Sequence, residues 1–159
     1  LTPLGLPIRR KITVGDERAL LANALRTLCD EADVVIVNGG LGPTQDDLTA
    51  EIVAEVAGQS LREHPGAVEH LEQWCERRRL TLNAANRKQA MLPADCELVP
   101  NPIGSAVGFE SRVGRCRVFA TPGVPGELEA MLPEIASRLG RDIGDDQRRH
   151  TLRLQTFGL

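Results

Sequence analysis

Two neighbouring carboxylates, Asp46 and Asp47, follow the glycine-rich run Asn38-Gly39-Gly40-Leu41-Gly42-Pro43 and the pair Thr44-Gln45. Glycines at Gly39, Gly40 and Gly42 let backbone approach a ligand closely. A loop of this kind leading into a helix N-terminus offers free N–H groups and the positive end of the helix dipole. That suits a phosphate, and the expected ligand is a phosphorylated small molecule. Carboxylates beside a phosphate cradle would repel it unless a Mg2+-like cation took oxygen ligands from both. Asp46 and Asp47 therefore either complement the dipole of the helix they precede, or hold a metal that polarises a phosphoryl group or activates water. Asp16, at the end of a neighbouring strand, either reaches the same edge or caps the next helix.

Arg87 and Lys88 are the cations placed to meet a phosphate. Successive helix residues point about 100° apart, so one of the two faces the site and the other lies on the exposed surface. Asn86 beside them is a hydrogen-bonding candidate. Gly104 and Gly108 either form a backbone wall against the ligand or serve turn chemistry alone. Ser105 lacks a G-x-S-x-G elbow and a histidine partner, so it is not read as a nucleophile.

The elements that would position these groups follow from the pattern. Val34-Val35-Ile36-Val37 is a β-branched run, as in a strand covered on both faces. Thr44 is expected to N-cap a helix with Asp47 in the capping-box position; Leu48, Ile52, Val53 and Val56 share its inner face and Gly58 ends it. Upstream, residues 7–14 alternate as a strand, and Asp16 precedes a helix with an apolar stripe from Leu20 to Leu28. Downstream, residues 59–64 read as a connector and Pro65 opens a helix to about Arg79, with Leu71 and Leu80 inward. Asn83 caps a short helix over 86–92, halted by Pro93. Strands follow over 96–99, 109–113 and 115–120, and Pro125 sits in the first turn of a helix ending at Gly140. After a polar link, residues 150–159 alternate like the first strand of a following module. The domain is thus expected over 1–140, with 141–159 as linker and strand.

This order argues for an α/β domain with a mainly parallel sheet. Right-handed crossovers place both loops, after Val37 and after Thr121, at the carboxyl edge of the sheet, where open α/β sheets bind ligands.

The whole-chain composition narrows the partners. At 159 residues and 42% hydrophobic the chain suffices for one packed domain. A net charge of −3 and 3% aromatic residues give no general attraction to nucleic acid and few stacking platforms, and no apolar run approaches a membrane span. Cys29, Cys75, Cys96 and Cys116 are scattered without C-x-x-C spacing, which suggests neither a zinc site nor a disulfide framework and fits a reducing cytoplasm. The chain opens on Leu1-Thr2-Pro3-Leu4-Gly5, which reads as a helix tail, so upstream sequence is expected.

The segment from Asn38 to Thr49 resembles the signature loop of the competence- and damage-inducible CinA family. Asn86-Arg87-Lys88-Gln89-Ala90, Asn101-Pro102-Ile103-Gly104 through Phe109, and Thr121-Pro122-Gly123-Val124-Pro125-Gly126-Glu127 match further motifs in order. The resemblance implies the molybdopterin-binding, MogA/MoaB-like fold: three α/β/α layers whose first strand and helix would precede Leu1. By motif position it assigns functional roles to Asp47 and Asp16, and makes Pro122, Gly123 and Pro125 part of a ligand loop. The related adenylyltransferases usually carry Thr at Leu41 and Arg at Asp46, so these positions favour the CinA branch. That branch implies hydrolysis of ADP-ribose dependent on a divalent metal, Mg2+, Mn2+ or Co2+, held by Asp46 and Asp47. It also implies self-association, as related domains commonly form homo-oligomers. Three readings follow in order: a metal-dependent nucleotide pyrophosphatase, a pterin-binding or adenylyl-transfer domain, and a non-catalytic binding or oligomerisation module.

Overall fold

The computed structural model describes residues 8–141. Its main sheet has four strands in the order β1-β6-β5-β4, where β1 is Val34–Asn38, β4 Glu97–Val99, β5 Gly108–Val113 and β6 Cys116–Thr121. β1 and β6 run parallel, with Val35 opposite Val118 and Val37 opposite Ala120. β6–β5 and β5–β4 are antiparallel. The α/β class holds, but the sheet is mixed rather than mainly parallel. The reason is local: β5 and β6 are joined only by Gly114 and Arg115, with Gly114 at φ +56, and so short a link can form only a hairpin.

Side chains alternate between two cores, as strand geometry requires. Val35, Phe109, Cys116, Val118 and Ala120 pack with residues of α1 (Arg18–Glu31), α2 (Thr49–Ala57) and α3 (Pro65–Arg78). Val99 and Phe119 face Met131, Ile135 and Leu139 of α5 (Pro125–Gly140), with Val34 and Ile36 at the margin. The result is three layers, α/β/α. Every one of those α5 and β6 contacts is buried, and burying a side chain of this size contributes about 1.5–3 kcal/mol.

Several expectations are corrected. Residues 8–14 form no strand; Ile8 is 71% exposed, and among the described residues no strand pairs with this stretch. The N-cap of α1 is Glu17, not Asp16, and Leu20 faces outward while Ala22, Leu25 and Cys29 are buried. α2 begins at Thr49 rather than after Thr44, and it ends at Gly58 in the left-handed region as expected. Leu80 is exposed beyond the end of α3.

The largest local difference is a second, two-stranded sheet. Leu61–Glu63 (β2), expected as connector, pairs antiparallel with Met91–Pro93 (β3), expected as helix. Asn83 does cap a short helix, α4 (Ala84–Arg87), by accepting from the Asn86 N–H; one 3-10 turn, Lys88–Ala90, then leads into β3. Pairing with β2 and burial of Leu92 override the helical preference of this stretch. The small ladder matters because it carries Lys88 and Gln89 up to the glycine loop. Among the described residues no helix is long and apolar enough to cross a membrane. The alternation over 150–159 lies outside the described residues.

Candidate functional site

The glycine loop leaves the end of β1 and is locked by backbone on both sides. Gly39 N–H donates to Thr121 O at 2.8 Å, extending the parallel ladder. Gly39 and Gly40 have φ of 108 and 69, a region that L side chains rarely adopt. The Thr49 hydroxyl donates to Gly39 O at 2.7 Å and Thr49 N–H to Gly40 O at 3.0 Å, so the first residue of α2 ties the loop down. A methyl group on Gly40 would run into Thr49. A methyl group on Gly123 would sit 3.3 Å from Gly39 Cα, so the two carboxyl-edge loops touch at their glycines. Their expected adjacency is thereby observed.

Thr44 and Asp47 do pair, but inside the loop rather than as a helix cap. Thr44 N–H and Oγ1 donate to Asp47 Oδ2 at 2.9 and 2.6 Å. Burial pushes the Asp47 carboxyl up, yet the Thr44 hydroxyl, the Thr44 and Gly42 amides and the Lys88 ammonium outweigh it and hold the group below the ordinary carboxylate range. Lys88 Nζ in turn donates to the carbonyls of Thr44, at 2.5 Å, and of Asp47, at 3.1 Å. An ammonium has three N–H donors, so this arrangement leaves one for a ligand.

Between the loop and the small ladder lies a cleft of ≈ 130 Å³. Gly40, Leu41, Gly42, Asp47, Ala50 and Glu51 form one wall; Leu61, Lys88, Gln89, Met91 and Leu92 form the other. The lining is mostly apolar, with Asp47, Glu51 and Lys88 as its charges. Glu51 is paired with Arg18 at 2.8 Å. Gln89 is only 8% exposed, and its Oε1 is buried without a hydrogen-bond partner among the described residues.

Other expected site residues lie elsewhere. Arg87 turns away from the cleft into a two-pronged ion pair with Glu63 on β2, so Lys88 is the member of the pair that faces the site. Asn86 is half-buried and Asp46 and Asp16 are exposed; none of the three lines the cleft. Pro122 is buried, while Gly123 and Pro125 are exposed on the loop that touches Gly39. Gly104 belongs to a separate knot, where its N–H donates to Asn101 Oδ1 and a side chain would strike Glu127 and Asn101. Sequence reasoning missed Thr49, Glu51 and Gln89 as site residues. Thr49 carried a signal, a hydroxyl at a helix start; Gln89 carried none, because its placement depends on the β2–β3 pairing.

For a metal, the residues present offer little as a self-sufficient centre. Among the described residues no three His, Cys, Asp or Glu side chains gather, and one Asp47 oxygen already accepts two hydrogen bonds. They fit the looser mode in which Mg2+ is shared between one or two carboxylates and the phosphates of a substrate.

An α/β domain with two glycine loops touching at the carboxyl edge of its sheet, and a mostly apolar cleft beside one of them, is of the class that binds ligands at that edge. Residues 1–141 match the family described as "Probable molybdopterin binding domain". A CinA-like protein of Colwellia psychrerythraea is 46% identical over all of this chain and 37% of its own length. One of Escherichia coli K12 is 44% identical over 97% of the chain and 39% of its own length. The chain thus spans well under half of these relatives. The crystal structure of the protein CinA from Thermoplasma acidophilum, described as of unknown function, superposes with a TM-score of 0.78 at 34% identity, covering 87% of this chain and 81% of that one. The chain belongs to the probable molybdopterin-binding domain family, on its CinA-like side.

Proposed function

We propose that the domain binds a nucleotide-like diphosphate at the glycine-loop cleft and hydrolyses it, with ADP-ribose as the model substrate. The observation that carries this reading is the arrangement of Lys88: an ammonium seated on two loop carbonyls, with a donor to spare, beside a carboxylate held ionised and a backbone shaped by glycines. Lys88 would meet the phosphate charge, and Gly39 to Gly42 would allow the diphosphate close to backbone. Asp47 is too weak a base for proton abstraction when its proton affinity is lowered; it suits orientation of the loop and of a cation. Asp47 would share a divalent metal arriving with the diphosphate, which would supply charge neutralisation at the phosphoryl group; Asp46, exposed outside the cleft, is given no part in this reading. Arg87, tied to Glu63, is given no part in this reading.

The family description and the shared fold support a second reading, a pterin-binding or adenylyl-transfer role. Leu41 and Asp46 weigh against it, and fold alone does not carry function. The test is AMP formation from ADP-ribose with Mg2+, Mn2+ or Co2+ and with a chelator, for the wild type and Asp47→Asn. AMP only with metal and only with Asp47 supports the hydrolase. ATP-dependent adenylylation of molybdopterin without AMP release from ADP-ribose would replace it with the second reading, and saturable binding with no product would leave a binding module.

A further inference from the structure

We infer that Thr49 is the positioning residue of the phosphate site: it turns two successive peptide groups of the glycine loop so that the N–H groups of Gly40 and Leu41 meet the phosphate oxygens. The inference rests on the reading that the phosphorylated ligand sits at this loop. Thr49 is 7% exposed and holds two consecutive loop carbonyls. Its hydroxyl donates to Gly39 O at 2.7 Å and its N–H to Gly40 O at 3.0 Å. Among the described residues no peptide bond is cis, and in a planar trans peptide group the N–H points opposite to the C=O. With both carbonyls drawn to Thr49, the amides of Gly40 and Leu41 point away from it.

Two consequences bear on an anion. The negative ends of two carbonyl dipoles are taken up by Thr49, and two neighbouring N–H groups are left over. Neither amide has an acceptor among the described residues. Gly40 is partly exposed, and Gly40 and Leu41 line the cleft together with Lys88. Successive N–H groups turned to one side make a concavity that takes anions, and the positive φ of Gly39 and Gly40 is the backbone form that permits it. Lys88 Nζ, with a donor left over from Thr44 O and Asp47 O, adds a full charge. A phosphoryl group offers both the acceptor oxygens and the charge that this set requires. The Thr49 N–H survives any ordinary substitution, so the side chain is needed for one bond alone, that to Gly39 O, which sets the Gly40 amide.

The experiment titrates the chain with inorganic pyrophosphate in the presence of Mg2+, followed by calorimetry and by amide NMR. It compares the wild type with Thr49→Val, which keeps the shape and removes the hydroxyl, and Thr49→Ser, which restores it. Val53→Ala, a core truncation in the same helix, is the control for lost stability alone. In the wild type the amide protons of Gly40 and Leu41 are expected to move downfield on binding. Thr49→Val is expected to bind about tenfold weaker or worse and to lose the Gly40 shift, with Thr49→Ser within about twofold of the wild type. Val53→Ala should melt lower and bind as the wild type does. Thr49→Val binding like the wild type overturns the inference, and so does Thr49→Ser as weak as Thr49→Val. An equal loss in Val53→Ala, or bound pyrophosphate that leaves the Gly40 amide unmoved, overturns it too; each of these leaves the phosphate site standing. Should Thr49→Val not fold, the wild-type amide shifts and Thr49→Ser decide. A wild type that binds no pyrophosphate overturns the phosphate-site reading and the inference with it.

Discussion

The cleft at Gln89 and the knot at Asn101 are built from the same kind of parts and spend them differently. Each has a carboxamide side chain, a glycine against which nothing larger than hydrogen fits, and a nearby glutamate. Asn101 is 1% exposed and all four of its hydrogen-bonding positions are filled: Nδ2 donates to Ala106 O and Glu127 Oε2, both at 2.7 Å, and Oδ1 accepts from the amides of Ile103 and Gly104. His70 Nε2 and the Trp74 indole N–H reach the carbonyls of Gly104 and Ile103 from α3 and complete the clasp. Gln89 is nearly as buried, and its Oε1 has no partner among the described residues. A polar group whose capacity is used up holds the fold together, whereas one left unpaired costs free energy and ties nothing down.

The comparison breaks first at Asn101. Asn101→Ala should cost about 3 kcal/mol or more, because it strands Glu127 and two loop amides at once; a urea midpoint shifted by less than about 1 kcal/mol would mean that the knot is not structural. Next comes Gly104→Ala, at roughly 1–3 kcal/mol, since the added methyl meets Glu127 and Asn101. Gly40→Ala should cost a similar amount through its positive φ and the Thr49 contact, but should also lower ligand affinity, which Gly104→Ala should not. Titration calorimetry on the two variants separates the regions directly.

Asp47 sharpens the comparison through pH. Its folded proton affinity is lowered, so its contribution to stability is present above the unfolded value of 3.8 and is lost as pH falls through the folded one. In chelator-treated protein, Asp47→Asn should be less stable than the wild type near neutrality, and the two should converge as the solution is acidified below about pH 4. Parallel stability curves across that range would show that the loop does not depend on the ionised carboxylate. The smallest effect is expected at Glu63→Gln, which breaks an exposed ion pair with Arg87 and should leave the urea midpoint close to that of the wild type, the more so in high salt.

The strand-loop-helix frame of the site was legible from residues alone. Val34 to Val37 and the glycine run could be nothing else, and the touching of the two loops follows from where a parallel pair ends. The helix start was misplaced because Thr44 and Asp47 satisfy each other in a turn that mimics a cap. The choice of Lys88 over Arg87 was not legible, nor was Gln89. Both hang on β2 pairing with β3 across 28 residues, a long-range contact that no local pattern in either three-residue strand announces. The strand expected over 7–14 shows the converse: an alternating pattern is only an offer of pairing, and here no described strand takes it.

The central claim is that the phosphate site lies at the glycine loop and is served by Lys88. The most direct measurement is ADP-ribose affinity for Lys88→Met and Arg87→Met side by side. The account predicts a loss of about tenfold or more for Lys88→Met, with Arg87→Met close to the wild type. Equal losses, or a loss only at Arg87, would contradict it.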